Sequence, residues 1–429
     1  MVCKEYPRVG ETLYHAELEN GLHVYVDVKP EFSKSFAFFA TNYGGMDMRF
    51  FLNGAWHDTP AGVAHFLEHK MFDTEDGNAL QDLAANGASP NAFTSNAITG
   101  YYFESTEKFE ENLRILLSFV SQPWFTPESV DKERGIIAQE ILMGEDSPDS
   151  KVYEDLFEIM YRSHPVRVPI AGSVESIGEI TPELLYDCHR TFYHPGNMVL
   201  SVVGDVDPER VEEIAYKTLP DTKPPEISRD YGPPEERTCP RRETVRNMDV
   251  AMPTFQLGFK CPAPGLGAEN FRLQILGDLA AEALMGESSP LYQRLYEQGL
   301  IDSSFGAGYE SFPGAAVFSC GGDSEEPEAV RDAILEEAER LGSTGIDKGL
   351  FRRLKRSELG RRIRDLDSFD SLCYRICAGH FVGAPYLDFP AAYAAVTREE
   401  VEDFLRQTVK AEAMAMATVL PRDWKERQL

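Results

Sequence analysis

The sequence predicts an α+β protein of two homologous domains related by internal duplication. Each is a sandwich-like arrangement of a mostly antiparallel sheet packed with helices. Three observations carry this. The 429 residues suit two to three ordinary domains. The two halves repeat one order of elements: strands, helix, helix, strand pair, helix, helix. Between them, residues 220–249 are rich in Pro and charge and poor in apolar side chains, as a linker is. The expected division is therefore 1–219, a linker at 220–249, and 250–429.

Composition narrows the setting. A hydrophobic content of 42% fills a core without staples. The seven cysteines, Cys3, Cys188, Cys239, Cys261, Cys320, Cys373 and Cys377, are odd in number and scattered, which points to free thiols in a reducing compartment. Cys373, Cys377 and His380 could form half a metal site, but packing thiols explain them more simply. A formal charge of −29 repels nucleic acid and anionic membranes, so neither is expected as a partner. No apolar run approaches a membrane span, and MVCKEYPRVG has no export-type apolar stretch. The expectation is a cytoplasmic chain.

In the first half, Leu22–Val28 and Ser35–Asn42 are β-rich runs flanking a polar turn, a strand pair in which His23 is structural. A loop with Gly44, Gly45, Gly54 and Pro60 leads to AGVAHFLEHKMF, Ala61–Phe72. His65 and His69 are four apart on a helix, so they share a face one turn apart and can reach one metal ion. Glu68 points to the same side, where a carboxylate can take a proton from a metal-activated water. Val63, Phe66, Leu67, Met71 and Phe72 bury this helix, and a buried helix must satisfy two histidines and a glutamate. A metal does so at once. The string H-x-x-E-H is the inverted zinc motif.

Asn78–Asn86 follows as an amphipathic helix, then Asn91–Thr94 and Ile98–Glu104 as two strands. Small residues in the first strand would leave an approachable edge for an extended peptide, but spacing alone favours an ordinary hairpin. Thr106–Ser121 and Glu128–Met143 are helices. A third zinc ligand is needed, and a carboxylate would complete a His₂Glu set with an open position. Glu133 and Glu140, two turns apart on the second helix, are candidates that spacing alone does not rank above other acidic residues. Helix at Lys151–Arg162 and Pro182–Thr191, a strand at Met198–Val203 and a helix at Pro208–Leu219 complete the half.

The second half repeats the pattern with a strand at Thr254–Lys260, helices at Asn270–Met285 and Leu291–Gln298, strands at Ser304–Glu310 and Ala315–Cys320, and helices at Glu326–Leu341 and Lys348–Arg364. The helix matching the zinc helix reads LQILGDLAAEALMG, so only the first half can hold the metal. The basic stretch Arg352–Arg364 is a solvated helix face.

The ordered set AGVAHFLEHKMF, GASPNAFTSNAITGYYFES, ERGIIAQEI and YHPGNMVLSVVGDVD resembles the pitrilysin–insulysin–mitochondrial processing peptidase family, and within it the short bacterial-type members. The resemblance covers most of the chain and is strongest from Tyr43 to Asp207. It implies a zinc metalloendopeptidase with one Zn²⁺ per chain, His65, His69 and Glu140 as ligands, Glu133 in support and Glu68 as general base. It also implies edge-on binding of peptide substrates at Asn91, Ala92 and Phe93. Active relatives carry an Arg and a later Tyr in the domain opposite the zinc. Here Tyr296 and Asp302 stand at those places, with Arg294 two positions early. A homologous subunit supplying the Arg/Tyr pair is therefore expected, as a heterodimer ahead of a homodimer. The alternative is a catalytically inactive structural or assembly subunit.

Overall fold

The computed structural model describes residues 1–52, 54–222 and 224–424. The chain forms two compact units. The first comprises Met1–Ile141, Pro169–Asp230 and Ile363–Pro390; the second comprises Leu142–Val168, Tyr231–Arg362 and Ala391–Leu429.

The chain begins with β1 (Val2–Tyr6), β2 (Glu11–Glu17), β3 (His23–Val28), β4 (Ser35–Thr41), β5 (Arg49–Leu52) and β6 (Ala55–Asp58). Helix α1 (Val63–Met71), the short strands β7 (Asp73–Thr74) and β8 (Gly77–Asn78), and α2 (Ala79–Ala85) follow. Next come the hairpin β9 (Ser89–Thr94) and β10 (Thr99–Ser105) and the helices α3 (Phe109–Ser121), α4 (Pro127–Glu145), α5 (Pro148–Met160), α6 (Val174–Gly178) and α7 (Pro182–Phe192). Strand β11 (Met198–Gly204), α8 (Pro208–Thr218) and β12 (Ser228–Arg229) precede the second series. That series runs β13 (Glu243–Met248), β14 (Thr254–Cys261), α9 (Ala268–Met285), α10 (Pro290–Glu297), β15 (Gly306–Phe312), β16 (Ala315–Asp323), α11 (Pro327–Thr344), α12 (Lys348–Arg364), α13 (Phe369–Val382), α14 (Phe389–Ala395), α15 (Arg398–Thr408) and β17 (Met414–Pro421).

Among the described residues, the first unit holds a seven-stranded sheet in the order β1-β2-β3-β11-β4-β10-β9, and the second a five-stranded sheet in the order β13-β17-β14-β16-β15. Their cores are superimposable in topology. In each, one parallel pair (β3 with β11, β13 with β17) is followed by three antiparallel pairings ending in an edge strand. Inner strands β4 and β11 are buried along their length, which is why SFAFFAT and MVLSVVG read as nearly continuous apolar runs rather than alternating ones. Against one face of the first sheet, Val24, Val26, Phe39, Tyr101, Phe103 and Leu200 meet Phe66, Leu67, Leu113, Leu116 and Leu117 of α1 and α3 in one core. His23 is held by His15, Nδ1 to Nε2 at 2.9 Å, a structural contact.

Four sequence expectations change. Strands β3 and β4, expected to pair with each other, are separated by β11, which pairs with both, a long-range insertion that the short turn between them does not signal. The stretch expected as a loop before α1 contains the hairpin β5–β6, which pairs with β12 into a small sheet. Its apolar signal, Phe50-Phe51-Leu52, is too short to register against the flanking glycines. The expected linker at 220–249 contains β13, whose backbone pairs with β17 although its side chains are mostly exposed. Its polarity is that of an edge strand. Finally, the expected contiguous division at 219 and 250 differs from the compact units, which are interleaved. Helix α5, from the first half, packs on β14 and β17 of the second unit, and α13, from the second half, packs on β11 and β4 of the first. Each sheet has two faces to cover, and each takes one helix from the opposite half of the sequence.

Candidate metal centre

Helix α1 begins at a backbone that only glycine adopts without strain. Gly62 has φ 96°, and a Cβ there would sit 2.6 Å from the Ala171 carbonyl oxygen. This close approach fixes where α1 leaves the loop. Its apolar side, Phe66, Leu67 and Met71, is buried in the core, which aims His65, Glu68 and His69 along one remaining face.

Helix α4 brings two carboxylates to that face. Glu140 Oε2 lies 3.4 Å from His65 Nε2 and 3.4 Å from His69 Nε2. Two turns earlier, Glu133 Oε1 lies 3.0 Å from His69 Nδ1. Among the described residues, His65, His69 and Glu140 are the one group of three metal-ligating types whose donor atoms all fall within 4.8 Å of one another. Donors bonded to zinc at about 2.0–2.1 Å in a tetrahedron stand about 3.4 Å apart. Two imidazoles and a carboxylate at these separations fit a zinc ion, and three protein donors leave a fourth position open.

The remaining residues hold this set in place. Glu133 engages the His69 nitrogen that faces away from Glu140, which fixes the ring's orientation. Glu68 lies beside His65, Oε2 to Nδ1 at 3.3 Å, and accepts a hydrogen bond from Thr94 Oγ1 at 2.7 Å. Thr94 ends the strand that contains Asn91, Ala92 and Phe93, so the candidate base and the candidate substrate strand are joined directly. Thr94 was missed from sequence; its signal was its place in the same Asn-Ala-Phe-Thr string. Strand β9 is the terminal strand of its sheet, and Ala92 N–H donates to Asn91 Oδ1 at 2.9 Å.

Electrostatics follow from the carboxylates. Burial alone would lower the His65 pKa, but Glu140 and Glu68 together outweigh it and push it up to about 9. The hydrogen bond with His65 holds Glu140 below the usual carboxylate range. Without metal, His65 therefore keeps its second proton at neutral pH, and metal binding must displace it. The apparent zinc affinity is expected to rise about tenfold per pH unit between pH 6 and 8 from this proton and to level off near pH 9. Competition titration with a chromophoric chelator at each pH checks this. Glu133→Gln, which keeps the shape but loses the charge facing His69, is expected to lower zinc affinity by about 10- to 100-fold, read in the same titration.

The other sequence candidates fall elsewhere. Cys373 and Cys377 are fully buried, Cys373 Sγ against the Ser201 carbonyl, and all seven cysteines are free. In the second unit, Tyr296 is 54% exposed and stacks on Tyr292, while Asp302 caps Ser304, N–H to Oδ1 at 2.7 Å. Arg294 lies 3.9 Å from Glu337. No helix of the described residues is long and apolar enough to cross a membrane.

Residues 50–174 match the family model for insulinase (peptidase family M16), and residues 179–358 match that for the peptidase M16 inactive domain. The chain is 39% identical over 425 residues to the uncharacterized zinc protease YmfH of Bacillus subtilis, covering 97% of this chain and 99% of that one. It is similar to the crystal structure of a putative M16-like peptidase from Alicyclobacillus acidocaldarius, with a TM-score of 0.93 and 33% identity over 98% of this chain and 100% of the other. Pitrilysin shares the fold, with a TM-score of 0.74 at 16% identity, and this chain covers 45% of its length.

Proposed function

Because the chain belongs to the insulinase family of peptidases, M16, we propose that it is a zinc metalloendopeptidase acting on short or unfolded peptides, and that it is the zinc-bearing subunit of a two-chain enzyme. One observation carries the reading. His65 Nε2, His69 Nε2 and Glu140 Oε2 converge on one point, and Glu68 stands beside them in hydrogen-bond contact with the edge strand.

His65, His69 and Glu140 would hold the ion, which when bound supplies Lewis acidity that brings the pKa of water toward neutrality. Glu68 acts as general base on the attacking water and then returns that proton to the leaving amine. Thr94 fixes the Glu68 carboxylate, and Glu133 fixes His69. The free edge of β9 holds the peptide as an added strand through main-chain bonds, which read extended conformation rather than sequence. Short or unfolded chains extend freely along this edge, and on this reading they are the substrates.

The two-chain reading rests on Tyr296 and Asp302, which stand where active relatives carry an Arg and a Tyr. Losing one oxyanion donor costs about 2.7–4 kcal/mol of transition-state stabilisation, so a homologous subunit is the expected source. An inactive assembly subunit, the alternative, has no need for Glu68 beside a complete donor set. Seven free thiols support a reducing, cytoplasmic setting. The test is cleavage of a mixed peptide pool by the zinc-loaded chain, read by mass spectrometry, alone and with a homologous Arg/Tyr-bearing chain. Cleavage at least about a hundredfold faster in the mixture is expected. Equal turnover by this chain alone removes the partner from the proposal.

A further inference from the structure

On the face of the first sheet turned away from α1, the edge strand borders a cavity of about 430 Å³ lined by Phe36, Phe38, Phe93, Tyr102, Tyr374 and Asp370. Side chains alternate across a strand, so Thr94 faces Glu68 while Phe93 faces this cavity. Opposite Phe93 in the register is Gly100, where a Cβ would meet the Phe38 ring at 2.3 Å. The missing side chain lets Phe38 slide beneath Phe93, with ring centroids 5.9 Å apart, and form a floor. Tyr374 of α13 closes one wall, 5.8 Å from Phe93, and Phe36 lies 5.3 Å from Tyr102.

The rim is acidic. Asp370 lies in the first turn of α13, exposed, and the Ser368 hydroxyl bonded to it holds its carboxyl below the usual carboxylate range. The neighbouring cation Lys34 is taken by Glu104, Nζ to Oε2 at 2.9 Å, and lies over the Phe369 ring. Aromatic faces carry negative charge density, and with a carboxylate at the mouth they favour a cation over an aliphatic group of the same length. A pocket for leucine or phenylalanine would gain nothing from Asp370.

We propose that this aromatic box is a specificity pocket for a basic side chain, arginine or lysine, on the peptide held along β9. The inference rests on the peptidase reading given above. The pocket selects a residue close to the cleaved bond, because Phe93 adjoins the residue bonded to Glu68.

The test is binding rather than turnover, with the zinc-loaded Glu68→Gln chain so that peptides stay intact. Fluorescein-labelled decapeptides, identical except for arginine, norleucine, phenylalanine or glutamate scanned through each position, are titrated by anisotropy. At one register, arginine is expected to bind about tenfold tighter than norleucine. Asp370→Asn should erase that preference while leaving norleucine binding unchanged, and Asp370→Glu should restore it. Tyr374→Leu should weaken arginine binding several-fold without altering the thermal melt. Equal binding of arginine and norleucine, or a preference that survives Asp370→Asn, overturns the pocket and leaves the peptidase reading standing. No binding of any peptide, by this chain alone or mixed with the homologous Arg/Tyr-bearing chain, overturns both.

Discussion

Glu68→Gln is expected to lower kcat/KM on peptides by about a thousandfold or more while zinc content stays near one per chain. The side chain is nearly isosteric, and its amide carbonyl can still accept from Thr94 Oγ1, which now bonds Glu68 at 2.7 Å. The local packing is therefore kept. What is lost is the group that accepts a proton, since an amide is no base at neutral pH. Glu68 is not one of the three converging donors, so the metal has no reason to leave. Paired measurement of turnover and of metal by inductively coupled plasma mass spectrometry checks both halves of this expectation. Unchanged turnover in the variant would remove Glu68 from the chemistry.

Glu140→Ala is expected to act on the metal itself. It removes a carboxylate placed 3.4 Å from both imidazole Nε2 atoms and leaves two histidines, which hold zinc weakly. After dialysis against a mild chelator, zinc content should fall from about one per chain to near zero, with hydrolysis lost in step. His65→Ala should do the same. The Glu140 side chain is 50% exposed, so the fold should persist, and an unchanged circular dichroism spectrum separates metal loss from unfolding. A Glu140→Ala chain with normal zinc content would place the third ligand elsewhere.

How much of this was legible depended on sequence distance. His65, Glu68 and His69 lie on one helical turn, where the 3.6-residue period alone decides that they share a face. The order of elements in each half also came through, because helices such as α3 and the buried strands β4 and β11 have strong apolar patterns. Glu133 and Glu140 were different. Their place beside His65 and His69 depends on how α4 crosses α1, a long-range packing choice that the spacing of two glutamates does not encode, and only the family resemblance ranked them. The helix exchange was hidden for a related reason. An amphipathic helix announces that it will bury a face but not against which sheet, so α5 and α13 looked like ordinary members of their own halves. The strand β13 was missed because an edge strand with exposed side chains reads like a charged linker.

That exchange governs how the polypeptide can be made. Three segments per unit mean that the backbone passes from one unit to the other five times. During biosynthesis, the first sheet has all its strands once residue 204 has emerged, yet one of its faces stays uncovered until α13, Phe369–Val382, is complete. Folding one domain while the next is still being translated is closed to this chain. Cutting the gene between residues 230 and 231 should accordingly give two fragments that are each insoluble alone. Co-expressed, they should recover a native complex, because only then does each sheet meet the helix that the other fragment carries.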